Sequence, residues 1–326
     1  MIGTIINSAI VQGIPLLYGS TGEIITEKSG NLNLGIPGIM YVGGSMGILG
    51  AYLYEINTSN PKVIWCIIIP LIFTLIGSAL CAFIYSFLTI TLRANQNVTG
   101  LALTTFGIGF GDFFGGTATK IFGNGESISV KTTADYFRTS LPFADKMGAL
   151  GEIVFGYGFL VYLAIIIALI AAIVLMRTRV GLSLRAVGEN PASADAAGIN
   201  VIKYKYLATI IGGAIAGLGG LYFTMDYTGG TWTSGGFGDR GWLAVALVIF
   251  AVWKPIAGIF GSFIFGGLYI ATAYIPGVSK NPSAMAVFNM LPYLVTVVVL
   301  IITSIKDKKE NYPPKSLGLP YFREER

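Results

Sequence analysis

The sequence predicts an all-α, polytopic membrane helix bundle with roughly 8–10 transmembrane helices. Three observations lead there. Of 326 residues, 54% are hydrophobic and 11% charged, whereas soluble domains carry roughly 25% charged residues; mean hydropathy is +0.72. Apolar runs recur along the chain, most of them long enough to cross a hydrocarbon core about 30 Å thick. The 44 glycines suit helices that pack closely inside a bilayer.

Spans are expected near 4–22, 36–54, 63–91, 98–115, 153–176, 206–225, 242–253, 255–274 and 286–304. The run at 242–253 is short and the one at 36–54 is broken by glycine, so these two are the weakest as full crossings. Arg93, Arg177, Arg179, Arg185, Lys203, Lys205 and Lys254 fall in alternate loops, and Lys306, Lys308, Lys309, Lys315, Arg323 and Arg326 share the tail. By the positive-inside rule these loops and the C-terminus are cytoplasmic. The side of the N-terminus stays open, because one re-entrant segment would change the parity. A membrane domain over 1–305, with a polar loop at 177–205, and a cytoplasmic tail over 306–326 follow from this pattern.

Several chemistries are excluded. There is no His, which removes the commonest general base and metal ligand. Cys66 and Cys81 lie fifteen residues apart in one run, about 22 Å on a helix, which is too far for a disulfide. No GxxxxGK[ST] loop is present, so ATP hydrolysis by that route belongs to another chain. The net charge of +5 is explained by topology and does not call for nucleic acid. No Lys or Arg precedes Lys28, so nothing reads as a cleaved signal peptide.

Taken in order, the unusual segments begin with Gly22–Gly38, where Asn31 and Asn33 sit beside glycines just before an apolar run. Broken backbone at membrane depth survives only when buried or lining a cavity. The segment is therefore a kinked or re-entrant wall, unless it is a tight cytoplasmic loop with an Asn cap. Small residues recur at helical spacing in Gly43 and Gly47, in Gly107, Gly111 and Gly115, and in Gly212, Ala216 and Gly220; bundle packing explains such stripes. Asp112 is the one carboxylate placed clearly inside an expected span. Such a group marks function unless it reaches the headgroups. Around it Phe110, Phe113 and Phe114 can stack on a flat ring or face lipid.

The polar stretch Arg177–Lys205 contains a short helix with both ends marked. Asn190 suits the N-cap, Pro191 the first helical position and Gly198 the residue past the end. Between them the side chains are mostly Ala, which keeps the helix thin enough for a groove on a soluble partner. An ordinary amphipathic loop helix fits the same spacing. Arg185 and Glu189, one turn apart, can pair with each other or with a partner. In the outward loop Tyr227–Trp242, Trp232, Phe237 and Trp242 read as interfacial anchors, with gating of the outer mouth or contact with a partner as alternatives. The tail IKDKKENYPPKSLGLPYFREER is expected along the cytoplasmic surface.

GEIITEKSGNLNLGIPGIM (22–40), LRANQNVTGLAL (92–103), RAVGENPASADAAGINVIKYKYLA (185–208), GDRGWLAVALVIFAVWKP (238–255) and KSLGLPYFREER (315–326) together resemble permease subunits of the branched-chain amino acid/monosaccharide ABC importers. Within that group the chain is similar to the shorter permease of nucleoside importers fed by basic-membrane-lipoprotein-type receptors. Two positions depart from that pattern. Pro37 stands where relatives carry an acid, and Ala251 where they carry glycine.

The resemblance implies a type II-like importer fold and alternating access. It also implies a second paralogous permease, an ABC ATPase that holds ATP and Mg, a lipid-anchored or extracellular substrate-binding receptor, and no cofactor in this chain. It places the ATPase contact on Arg185, Glu189, Asn190, Pro191, Ala194, Asp195 and Gly198. It offers Asn31, Asn33, Asn97, Phe106 and Phe110 as substrate-path residues. The same architecture suits a simple sugar or a branched-chain amino acid. An ion-coupled transporter would need buried acids or His along its path, and an intramembrane enzyme would need a catalytic cluster that the sequence does not display.

Overall fold

A computed structural model describes residues 2–122, 128–140, 148–275, 282–305 and 312–323. Lys306, Lys308, Lys309 and Arg326, counted above as cytoplasmic bases, lie outside the described residues. The helices in chain order are α1 (Ile2–Glu27), α2 (Ile36–Ile56), α3 (Val63–Ser86), α4 (Gln96–Phe122), α5 (Lys131–Arg138), α6 (Gly148–Phe155) and α7 (Phe159–Arg177). They continue with α8 (Arg179–Glu189), α9 (Pro191–Ala196), α10 (Val201–Tyr222), α11 (Arg240–Phe250), α12 (Pro255–Tyr274), α13 (Pro282–Asn289) and α14 (Leu291–Ile305). Among the described residues seven helical stretches are long and apolar enough to cross a membrane. α1, of 26 residues, is also long enough to cross, whereas α11, with 11 residues, reaches only about 16 Å.

α1, α2 and α10 form the interior, and α3, α4, α7, α12 and α14 surround them. Buried residues make up 83% of the apolar window of α2 but only 11% of that of α14, so α2 is wrapped by protein and α14 lies at the edge. Close approach is what the glycine stripes provide. A Cβ on Gly43 would lie 2.5 Å from Cα of Gly217, and one on Gly220 would run into the carbonyl of Met40 and stand 2.7 Å from the Gly44 nitrogen. The helices α2 and α10 touch backbone to backbone there, the contact that small residues permit between membrane helices.

α1 and α12 run antiparallel: Gly13 faces Ser262, Gly266 faces Ala9, and Ser8 Oγ lies 3.1 Å from Tyr274 Oη. Both α3 and α10 end in a π-helical turn, Phe87–Thr91 and Phe223–Tyr227, a feature frequent at functional sites. Cys66 and Cys81 are free and buried in α3.

The first span is longer than the apolar run suggested. α1 passes through Gly22 to Glu27, and residues 28–35 then form a non-helical segment of which five residues are buried and three half-buried. This is the broken wall, not the tight surface loop. Asn31 lies beside Thr209, whereas Met40 lies against Gly220. Eleven residues of α10 separate those two levels, so the chain climbs about 16 Å from Asn31 to Met40. Pro37, at the start of α2, packs under Gly241, where a Cβ would stand 2.5 Å from the proline Cα. Its role is steric, with no acid needed at that point.

Candidate coupling site and translocation path

The loop between α7 and α10 is built from three successive caps. Thr178 Oγ1 accepts from the Gly181 amide (3.1 Å), Asn190 Oδ1 from Ser193 (2.9 Å) and Asn200 Oδ1 from Lys203 (2.9 Å), opening α8, α9 and α10 in turn. Pro191 occupies the first turn of α9. Gly198 ends it at φ +83°, its amide donating to Asp195 O at 2.9 Å; that left-handed conformation suits glycine at this position.

The two sides of α9 differ. Ala192, Ser193, Ala196, Ala197 and Gly198 are exposed, as are Glu189 and Asn190 just before the helix. Ala194 turns inward and packs with Val187 and Val201. Asp195 Oδ2 accepts from the Tyr321 hydroxyl (2.9 Å) and from Arg323 Nε (3.1 Å). Two residues expected at an ATPase contact are therefore engaged by this chain's own core and tail, and the outward rim is the alanine face. Arg185 and Glu189 make no ion pair with each other among the described residues. They flank Lys28 instead, whose ammonium burial pushes below its usual value while Glu189 pulls it back up.

The described part of the tail is a docked strap. Ser316 donates from its amide (3.0 Å) and its hydroxyl (2.6 Å) to Gly188 O at the end of α8, and the Gly318 amide donates to Gly30 O (3.2 Å). Phe322 lies under the Arg93 guanidinium, 4.5 Å from the ring centre. One segment thereby holds α8, α9, the loop before α4 and the start of the broken wall.

Polar side chains from three helices satisfy the wall. Gln96 Oε1 accepts from the Leu32 amide (2.7 Å), and Glu23 Oε1 from the Asn33 amide (3.0 Å). Tyr85 donates to Leu32 O, and Thr104 Oγ1 donates to Leu34 O at 2.7 Å. Asn33 Oδ1 accepts from Gly35 N at 2.9 Å. Such pairing is required of irregular backbone away from water.

Asn31 and Asn33 are thus buried, at 1% and 0% exposure, and face no open path in this conformation. Glu23 and Glu27, both buried, escaped the sequence reading. Glu27 accepts from the indole of Trp253, which sits in a turn where Val252 and Trp253 both have φ +52°. That left-handed backbone is costly for a β-branched residue, and here it aims the indole at α1. Ala251 has an ordinary helical φ of −73° and is buried, so no glycine is needed there.

At the opposite end the loop 228–239 folds inward. Trp232 and Phe237 meet the Tyr41 ring edge-on, with centroids 5.4 and 6.1 Å away. The Tyr41 hydroxyl donates to Asp112 Oδ1 (2.9 Å) and accepts from Gly235 N (2.8 Å). Phe237 is thus buried and Trp232 half-buried against this chain's own Tyr41, and Asp112 is tied to Tyr41. Arg240 is buried; it donates to Gln12 Oε1 at 2.9 Å and lies 4.8–5.0 Å from the ring centres of Phe223, Tyr227 and Tyr269.

The family described as branched-chain amino acid transport system / permease component matches residues 5–303. The chain belongs to that family. It is a multi-pass ABC transporter permease, a membrane subunit that is not itself the catalyst. Three relatives match it nearly end to end. The nucleoside ABC transporter permease NupC of Lactococcus lactis is 29% identical over 98% of this chain and 96% of its own. TsgC13 of Haloferax volcanii, provisionally named a glucose ABC transporter permease, is 32% identical over 98% of each chain. The guanosine ABC transporter permease NupQ of Bacillus subtilis is 29% identical over 100% of this chain and 98% of its own.

In this permease the exposed side of α4 mixes aliphatic, aromatic, polar and small residues. The outer face of α7 is aliphatic, with Ile166, Ile170 and Ile173, and that of α3 carries Ile68, Ile72, Ile76 and Leu80 together with Trp65 and Phe83. On α4 the exposed positions include Asn97, Thr105, Phe106 and Gly109. Phe106, Phe110 and Phe114 form a ladder, with successive ring centres 6.0 and 4.5 Å apart. Of the five path residues expected, Phe106 and Phe110 share the ladder, whereas Asn97 is exposed nine residues before Phe106, on the opposite side of the helix.

Proposed function

We propose that this permease is one of two membrane subunits of an ATP-driven importer in the cell membrane, with the α8–α9 face and the C-terminus cytoplasmic, and that its cargo is a nucleoside. The observation that carries the coupling role is α9, a short helix with an alanine rim, fixed by caps at both ends and clamped to the broken wall through α8 and the strap. A separate ABC ATPase, holding ATP and Mg, would seat α9 in a groove. The contact would involve Arg185, Glu189, Asn190, Pro191 and Gly198, with Ala194 and Asp195 keeping α9 in place from within.

Motion of α9 would pass along Asp195, Tyr321, Gly318 and Gly30 into segment 31–35, and from there to α1 and α4 through Glu23, Gln96 and Thr104. The α4 face would line the path against the second permease. A substrate-binding receptor would dock on the opposite face, over the loop that carries Trp232 and Phe237.

The nucleoside assignment is supported by the α4 ladder and by the names of two of the three relatives. Phenylalanine faces stack on a flat ring. The glucose name of TsgC13 favours a second reading, a free sugar. Uptake of labelled guanosine by cells with and without this gene, in the presence of an uncoupler and of unlabelled glucose, ribose or leucine, separates the two. Gene-dependent uptake that none of these blocks supports a nucleoside. Block by glucose or ribose moves the cargo to sugars, and block by leucine to amino acids.

A further inference from the structure

A second site lies beneath the strap, away from the α4 face. A cavity of about 170 Å³ opens between the strap, the end of α3 and the start of α10, and Asn31, Arg93, Gln96, Lys205, Tyr321 and Arg323 line it. By the same measure one water needs only about 10–15 Å³, so the cavity has room for a tetrahedral anion and part of what it is attached to. Three of the lining residues are cationic and none is acidic.

Lys205 sets the chemistry. It is 3% exposed, lines the cavity, and has no hydrogen-bond or ion-pair partner among the described residues. A buried charge without a counter-charge is expensive, and the cavity is where a counter-ion would sit.

Asn31 adds a second polar group. Thr209 Oγ1 gives its proton to Lys205 O (2.9 Å) and so accepts from Asn31 Nδ2 (3.1 Å), which fixes the orientation of the amide. Asn31 Oδ1 is then left buried without a donor. A cation needing an acceptor and an acceptor needing a donor, in one chamber, match an oxyanion that still bears a hydroxyl. Arg323 already shares its charge with Asp195 at 3.1 Å, and the Arg93 guanidinium stacks on Phe322, so both frame the entrance and Lys205 forms the floor.

We propose that this cavity binds a phosphate group, either that of a small soluble phosphate such as inorganic phosphate or a nucleoside monophosphate, or that of an anionic lipid headgroup. Charge-assisted bonds to phosphate are the strong ones for Lys and Arg. The occupant would bridge the strap to the base of α10 and favour the docked strap. The site stands on this cavity alone and does not depend on the identity of the imported cargo.

The test uses the full-length chain, purified in its transporter and placed in phosphatidylcholine nanodiscs. One arm measures binding of radiolabelled orthophosphate and of AMP; the other replaces part of the lipid with phosphatidylglycerol and measures its retention. Saturable binding in the first arm assigns a soluble phosphate, and selective retention in the second assigns a lipid. In either case Lys205→Met is expected to weaken binding at least tenfold and Lys205→Arg to preserve it. Asn31→Asp, which puts an internal carboxylate in the cavity, is expected to abolish it. Absence of saturable binding by the unmodified chain in both arms overturns the proposal, as does unchanged affinity in Lys205→Met.

Discussion

Replacing Tyr321 with Phe removes one hydroxyl and tests the strap as the link between α9 and the broken wall. That hydroxyl donates to Asp195 Oδ2 at 2.9 Å, and the Asp195 side chain is only 13% exposed. The neighbouring Arg323 is 72% exposed, so its ion pair with Asp195 is screened and contributes about 0–1 kcal/mol. A hydrogen bond to a charged, mostly buried acceptor contributes about 1.5–3 kcal/mol. Taking about 2 kcal/mol for Tyr321, the docked-to-released ratio of the strap falls on the order of 30-fold in Tyr321→Phe.

The assay is the number of ATP molecules hydrolysed per substrate imported by the transporter in proteoliposomes. The ratio is expected to rise several-fold with basal hydrolysis unchanged, and Arg323→Ala is expected to change it far less. If Tyr321→Phe and a chain ending before Ser316 both keep the normal ratio, the strap does not transmit motion.

Three further outcomes follow from the same geometry. Gly220→Val drives a side chain into Met40 O, separates α2 from α10, and lowers the midpoint of thermal unfolding in detergent, consistent with an overpacking cost of about 1–3 kcal/mol. Glu23→Leu leaves the Asn33 amide buried without an acceptor and destabilises the fold by about 1–3 kcal/mol, whereas Glu23→Gln keeps an acceptor and costs less; the comparison is read from the same melts. Phe110→Ala removes the middle rung of the α4 ladder, so KM for guanosine uptake should rise while basal ATP hydrolysis stays normal.

Much of this architecture was legible because it rests on local rules. Apolar runs marked the helices, and the caps Asn190, Pro191 and Gly198 marked α9, since each acts within three or four residues of itself. The small-residue stripes marked close contacts correctly but could not say which helices meet, because Gly43 finds Gly217 only through the tertiary fold. The extent of α1 was missed because Glu23 and Glu27 read as the start of a loop. They are tolerated at depth by the Asn33 amide and by the Trp253 indole, the latter 226 residues away in the chain.

The packing of the aromatic loop was not legible for a related reason. Its composition fits an interface equally well, and only the position of Tyr41 draws Trp232 and Phe237 inward. The strap was invisible because its partners, Gly188 O and Gly30 O, are backbone carbonyls with no sequence signature. Asn31 and Asn33 stood out as unusual, and they are, but as supports of the wall.

The most direct test of ATP-driven import through α9 is uptake of labelled guanosine into proteoliposomes that contain this permease, its partner permease and the ATPase. It is measured with ATP, with ATP plus vanadate, and with an ion gradient alone, for the natural chain and for Asn190→Ala/Pro191→Gly. Uptake that requires ATP, stops with vanadate, ignores the gradient and falls in the α9 variant is the predicted result. Uptake driven by the gradient without ATP, or ATP-driven uptake unchanged by loss of the α9 cap, would contradict it.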